Sequence, residues 1–384
     1  MGFSAINNNL VRNLSNIPGW TTRRKIIVIE SDDWGSIRMP SRKVFNILES
    51  KGLNLTGGDS KRYNLYDTLA SPNDLNDLFE TLFSVTDKNK NPCVITPVCI
   101  VANPDFQKIK ENDFKEYFYE PFTKTLDRYY QNTKLFDLWK KGIEGRIFVP
   151  QFHGREHLNV GEWMRALQLH DKEALLGFEH GFWGFNRKPL INSRISYQAA
   201  FDLYEPDDIV IQAKAIKEGL ALFQELFGYV ARYFVPPNGP FNNSLEEVAA
   251  ECGISYMLAP KIQMEPRGYE KKRKIFHWLG QQNKHHQRYI ARNCFFEPSQ
   301  IGKDWTNSCL NEIGIAFRWH KPAVISSHRV NYIGTHDIKN RENGLRQLNL
   351  LLKSILKQWP DAEFLTSDQL GDLITNTNII AEYP

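Results

Sequence analysis

Two adjacent carboxylates, Asp32 and Asp33, follow the apolar run Ile26-Ile27-Val28-Ile29. A second cluster, His153-Gly154-Arg155-Glu156-His157, follows Ile147-Phe148-Val149. Two imidazoles and two carboxylates, each placed where a buried strand opens into a loop, could hold a divalent metal and work beside it. A catalytic zinc takes three ligands from His and carboxylate and keeps water in its open position. The His-x3-His spacing lets both rings share one metal on a turn or helix start, and a carboxylate from another strand completes the set. A further carboxylate outside that set can take the proton of the water, which is general-base work. In an extended chain Asp32 and Asp33 point in opposite directions, so that one can face the metal and the other the water. Each cluster alone has a plainer reading. Asp-Asp after a strand caps a helix or sits in a solvated turn, and a lone His-x3-His arises by coincidence.

The elements that must position these residues are short apolar runs, each followed by turn residues and a helical pattern. Strands are expected over 25–30, 93–101, 146–152, 232–235, 255–258, 288–292, 323–327 and 363–366, with Pro150 weakening the third because proline removes a ladder donor. Helices are expected over Asn243–Cys252, capped by Ser244 and stopped at Gly253, and over Ala213–Phe227. A third, Glu342–Trp359, carries Leu345, Leu348, Leu352 and Leu356 on one face. Strands alternating with helices imply parallel units, and chemistry at the carboxyl ends of several strands favours a distorted (β/α) barrel over an open sheet. The expected organisation is an α/β chain with an N-terminal extension (1–24) and one domain (25–375). Two aromatic-rich insertions, at about 105–141 and 160–208, are read as substrate walls or an oligomer contact on the active face.

Composition bounds the rest. Hydrophobic content of 41% with 24% charged residues suits a globular chain of 384 residues, and a net charge of +4 is too small to suggest nucleic acid. Aromatic residues make up 12%, which suits either a groove for ring-shaped ligands or an ordinary core. Five scattered cysteines without a CxxC pair read as free thiols in a reducing compartment, so a cytoplasmic location is expected. No run approaches the ~20 apolar residues of a membrane span.

Ser31-Asp32-Asp33-Trp34-Gly35 resembles the first motif of the polysaccharide deacetylases (the NodB-homology group, carbohydrate esterase family 4). His153 to His157 is similar to that family's second motif, and Phe234-Val235-Pro236-Pro237-Asn238-Gly239 to its third. Ser244–Leu258, Ala323–His328 and Glu363–Leu370 resemble its later landmarks, so the likeness runs in order from residue 25 to 371. It implies a barrel of the NodB type and a metal-dependent deacetylase acting on an acetylated amino sugar or oligosaccharide. It further implies Asp33, His153 and His157 as ligands of a divalent metal, most simply Zn²⁺. Asp32 would be the general base and His328 the general acid. The backbone near Asn238 would help to hold the oxyanion.

The chain departs from that pattern in places. Val235 stands where the family has the arginine that steadies the catalytic aspartate, and Arg232, Arg155 and Arg329 are the substitutes considered. The carboxylate that tunes the acid histidine has no clean match; Asp304-Trp305 and Glu297 are the candidates. The separation of the first two motifs is unusually long. Trp34 stacks on a sugar or packs beside the strand end, and Arg155 is a second candidate contact to substrate. His285-His286, in the basic stretch 271–292, grips an anionic sugar or a lipid-linked phosphate, or lies on a solvated face. His320 and His336 are either partners of His328 or ordinary histidines. The alternatives are an amidase acting on a non-sugar amide and a carbohydrate-binding relative with impaired turnover.

Overall fold

Residues 25–34 are buried almost throughout, as expected of a strand covered on both faces of a parallel sheet. The computed structural model describes residues 10–57, 60–131, 134–185 and 196–381. In chain order its strands are β1 (Lys25–Trp34), β2 (Ile95–Ile100), β3 (Ala102–Pro104), β4 (Tyr119–Pro121), β5 (Gln151–Gly154), β6 (Tyr233–Phe234) and β7 (Tyr256–Leu258). They continue with β8 (Ile262–Pro266), β9 (Lys272–Phe276), β10 (Arg288–Ile290), β11 (Cys294–Phe295), β12 (Ala323–His328) and β13 (Ala362–Leu365). The main sheet has the order β10-β7-β6-β5-β2-β1-β12-β11, with β13 also on β1. All of its pairings are parallel.

Alternation along β1 shows how the sheet curls. Ile26 and Val28 meet Val98, Tyr233, Ile290 and Val324 from four other strands in one interior cluster. Ile27 and Ile29 face the other way, in the large core that also takes Leu348 and Leu352 of the helix Ile338–Gln358. The sheet is therefore an α/β barrel with helices outside, and no ladder joins its end strands β10 and β11 among the described residues. No helix among those residues is long and apolar enough to cross a membrane.

Local differences from the sequence reading have local causes. The third strand begins after Pro150, and Phe148 keeps only an isolated bridge to Ile95. Ser244 is not the cap of its helix. Asn242 accepts from the Ser244 N–H and from its hydroxyl at 2.7 Å, making a 3-10 turn ahead of the helix Glu246–Glu251. The hairpin β8–β9 escaped notice because its alternation is inverted, with Ile262 and Met264 exposed and Gln263 and Glu265 buried. No described residue of the segment 105–141 lines the cavity described below. Its Phe122 and Trp139 instead pack with Trp34, Phe148 and Phe227. In 160–208, Trp163 and Trp183 pack on Phe106, while 186–195 lie outside the described residues. These aromatic rings serve the core, while Ser196 and Gln198 of the second segment line the cavity.

Gly35, next to the bulge that ends β1, has φ 86°, and a Cβ there would lie 2.3 Å from the Ile100 carbonyl oxygen. Gly52 has a similar φ of 87° and open space around it. Gly52→Ala is expected to lose about 1 kcal/mol, the left-handed backbone term alone. Gly35→Ala should lose at least ~2 kcal/mol more, because backbone must move. Urea unfolding of the two variants measures the difference.

Candidate active site

A polar cavity of about 480 Å³ opens at the carboxyl ends of β1, β5, β6 and β12, within the ~300–1,000 Å³ range of small-ligand sites. Asp32, Asp33, His153, His157, Asn238 and His328 all line it. Consecutive residues of a regular strand would not share one wall. Here β1 slips register against β2 between Ser31 and Trp34, and Asp33 adopts φ 74°. This bulge re-aims a side chain, so both aspartates face the cavity, whereas strict alternation would have sent them to opposite faces.

The histidines are placed by the β5–β6 pairing. The Val235 N–H donates to the Phe152 carbonyl at 3.0 Å. The Val235 carbonyl in turn lies 2.6 Å from His153 Nδ1. A carbonyl only accepts, so Nδ1 carries the proton, and in the neutral ring Nε2 offers a lone pair. Among the described residues that buried Nε2 has no hydrogen-bond partner, and it lies 3.6 Å from Asp33 Oδ1. Two acceptors thus face one another, an arrangement that a bound cation reconciles. His157 Nε2 is 3.1 Å from the same oxygen. Burial depresses the His157 pKa to about 4, which leaves the ring neutral and free to ligate at pH 7. Burial works to raise the Asp33 carboxyl, but the Arg38 charge holds it well below the usual carboxylate range. Asp33, His153 and His157 keep their ligand atoms within 4.8 Å of one another. Two imidazoles and one carboxylate, all buried, fit a catalytic zinc with an open fourth position.

Asp32 is bound by an arginine that none of the three expected substitutes supplies. Arg292, just past β10, places Nη1 and Nη2 each 2.6 Å from the Asp32 oxygens, and its Nε lies 2.6 Å from Glu30. Burial opposes ionisation of Asp32, and the Arg292 charge and hydrogen bonds outweigh it, lowering the pKa. Arg232 pairs with Asp372, Arg155 with Glu156 and Glu218, and Arg329 with Asp67. Arg292 closes a separation of 260 residues. The one available signal was its position at the carboxyl end of an apolar run, the same signal that singled out Asp32 and His328.

Parallel pairing sets Asp32 and His328 in register across β1 and β12, and His328 Nε2 is 3.8 Å from Asp32 Oδ2. His328 Nδ1 meets Glu297 Oε1 at 2.5 Å. Burial would lower this imidazole's pKa, but the Glu297 carboxylate and then the aspartate charges raise it to about 9. Arg62 donates to the other Glu297 oxygen at 2.5 Å, and Asn331 donates to it at 3.0 Å. Of the two candidates named for that partner, Glu297 therefore occupies the place. Asp304 caps the helix Trp305–Arg318 instead. Tyr63 packs edge-on against His328 with ring centroids 5.6 Å apart.

The other residues singled out lie elsewhere. Trp34 is fully buried, donates to Ser31 Oγ at 2.9 Å and packs on Phe148, so its ring faces the core and no ligand. Arg155 lies over Tyr119 outside the cavity, held there by its two glutamates. His336 sits 3.0 Å from the Met39 carbonyl. His320, His285 and His286 do not reach the cavity. Asn238 does, in a turn with φ 57° whose Gly239 N–H donates to the Pro236 carbonyl at 3.2 Å.

No family model and no curated protein matches the chain. Several solved structures are similar in overall course. A probable polysaccharide deacetylase from Pseudomonas aeruginosa PAO1 is 10% identical over 91% of each chain, with a TM-score of 0.45. PuuE allantoinase is 11% identical over 92% of this chain and 91% of its own, with a TM-score of 0.44. A CE4 family pseudoenzyme from Bacillus anthracis is 9% identical over 90% of this chain and 65% of its own, with a TM-score of 0.36. Such likenesses assign no chemistry to this chain. What fold and cavity define together is an open parallel α/β barrel carrying a buried Asp-His-His set.

Zinc titration of chelator-treated protein, followed by calorimetry, should reveal one site. Asp33→Ala, His153→Ala and His157→Ala should each abolish it, and Asp32→Asn should keep it. Arg292→Ala strands two buried carboxylates and should lower unfolding stability by roughly 3–5 kcal/mol, read from urea denaturation.

Proposed function

We propose that this protein is a metal-dependent hydrolase that removes an acyl group, most simply acetyl, from the nitrogen of an amino sugar. One observation carries the reading: a carboxylate held by Arg292 and an imidazole held by Glu297 stand 3.8 Å apart beside the Asp-His-His set. Asp33, His153 and His157 would hold a divalent cation, zinc in the simplest case, which polarises the amide carbonyl and lowers the pKa of its water to about 7. Asp32, kept ionised by Arg292, takes a proton from the attacking water. The backbone at Asn238 donates to the developing oxyanion. His328, kept protonated by Glu297, gives its proton to the departing nitrogen. Pairs of titratable groups whose environments push their pKa values apart mark base and acid.

Arg292 on Asp32 supports turnover over a silent carbohydrate-binding role, because it supplies the cation that Val235 does not. The polar lining, with Ser196, Gln198 and Asn238, favours a substrate rich in hydroxyls. Five free thiols, four of them buried, suit the reducing compartment expected from the sequence. An amidase acting on a non-sugar amide needs the same machinery and is separated by substrate alone.

Acetate release from a panel of N-acetylated amino sugars, short oligosaccharides and simple amides tests the assignment, and activity on amides alone would overturn the sugar reading. In zinc-loaded protein, Asp32→Asn should lower kcat by roughly 100- to 10,000-fold while metal content is unchanged. Glu297→Gln removes the charge that raises the His328 pKa. The protonated acid then exists only to a lower pH, so the alkaline limb of kcat/KM should move toward lower pH.

A further inference from the structure

Among the described residues three guanidinium groups line the cavity, and two of them are engaged by carboxylates. Arg292 gives all three of its nitrogens to Asp32, Glu30 and Ser326. Arg62 donates to Glu297, Ser299 and Tyr63. Arg38 is different. It is 7% exposed and lines the same cavity, yet among the described residues its Nε and Nη1 have no hydrogen-bond partner.

The nearest acids serve Arg38 poorly. Its Nη2 is 3.4 Å from Asp33 Oδ2 and its Nε is 3.5 Å from Asp67 Oδ2. Asp67 already receives Arg329 at 2.9 and 3.0 Å, and Asp33 belongs to the metal-ligand set. The guanidinium is nonetheless held in place. It lies 4.6 Å over the Tyr63 ring, and its backbone has a left-handed φ of 50°, a strain that persists where surrounding structure enforces it. A buried cation with unmet donors is costly, and a planar fork of N–H groups matches carboxylate or phosphate oxygens two at a time.

We propose that the cavity takes an N-acyl sugar bearing an anionic group, a carboxylate or a phosphate, and that Arg38 receives that group. The proposal rests on the hydrolase reading above and adds the charge of its substrate. A neutral sugar brings only hydroxyls to this wall and leaves the guanidinium short of charge. An anion supplies counter-charge and two oxygens to the fork at once, so discrimination follows from a cation left without a counter-charge by the wrong ligand.

Calorimetric titration of zinc-loaded protein tests this with two anion-only probes, glucuronate and inorganic phosphate. N-acetylglucosamine is titrated beside its uronate and its 1-phosphate. Wild-type protein should bind one of the two charged sugars about 10-fold or more tightly than the neutral one, and which one tells carboxylate from phosphate. Arg38→Gln should abolish both that preference and the binding of the matching anion-only probe. Should it fail to fold, Tyr63→Leu, which removes the seat of the guanidinium, should weaken the same preference. Equal binding of charged and neutral sugars by wild-type protein, or a preference unchanged in Arg38→Gln, would overturn the proposal. Acetate release separates it from the parent reading. Equal kcat/KM on charged and neutral sugars sinks the role of Arg38 and leaves the hydrolase, whereas Arg38-dependent anion binding without hydrolysis of any N-acyl sugar does the reverse.

Discussion

Two buried carboxylates on the inner face of one strand are the constraint from which the rest follows. Glu30 and Asp32 stand two residues apart on β1, unexposed or nearly so, above the apolar interior layer of Ile26 and Val28. Ionised carboxylates do not persist in such a place without cationic and hydrogen-bonding partners. Arg292 answers both with a single guanidinium, and the Tyr233 and Ser367 hydroxyls complete Glu30 at 3.0 and 2.8 Å. Arg292 follows β10 and also reaches Ser326 on β12, so the contact that orients Asp32 also ties the end of β10 to β1 and β12.

A second ion pair makes the other half of the site unlike the first. Asp32 and His328 are partners on neighbouring strands, and either could hold or release a proton. Arg292 biases one toward the ionised carboxylate; Glu297, itself anchored by Arg62 and Asn331, biases the other toward the imidazolium. Buried counter-ions thereby differentiate two groups that the sheet places side by side, and the left-handed turn at Asp33 sets a further carboxylate beside them. Function here depends less on the strands than on what each strand end meets.

Strand and helix positions were largely legible, since buried parallel strands are apolar runs and their helices repeat with the period of one face. Some of the residues that line the cavity were legible for a related reason. Asp32, Asp33, His153, His157 and His328 are polar groups set just where apolar runs stop. Trp34 has that same position and ends in the core, because the bulge that turns Asp33 inward sends the next side chain outward onto Phe148. Short-range competition decided Ser244, whose neighbour Asn242 reaches the open N–H groups first. The hairpin β8–β9 was hidden by an alternation that exposes its apolar side.

The sequence by itself determined which groups could do chemistry and at which strand ends they stand, because periodicity and turn residues are local properties of the chain. Tertiary structure alone decided their partners. Nothing local links residue 292 to residue 32, or residue 297 to residue 328. Arg232, Arg155 and Arg329 were the substitutes considered, and only the strand order showed that Arg292 is the guanidinium Asp32 meets. A buried charge is satisfied by whatever the fold brings within about 3 Å, and that distance is a property of strand order and register.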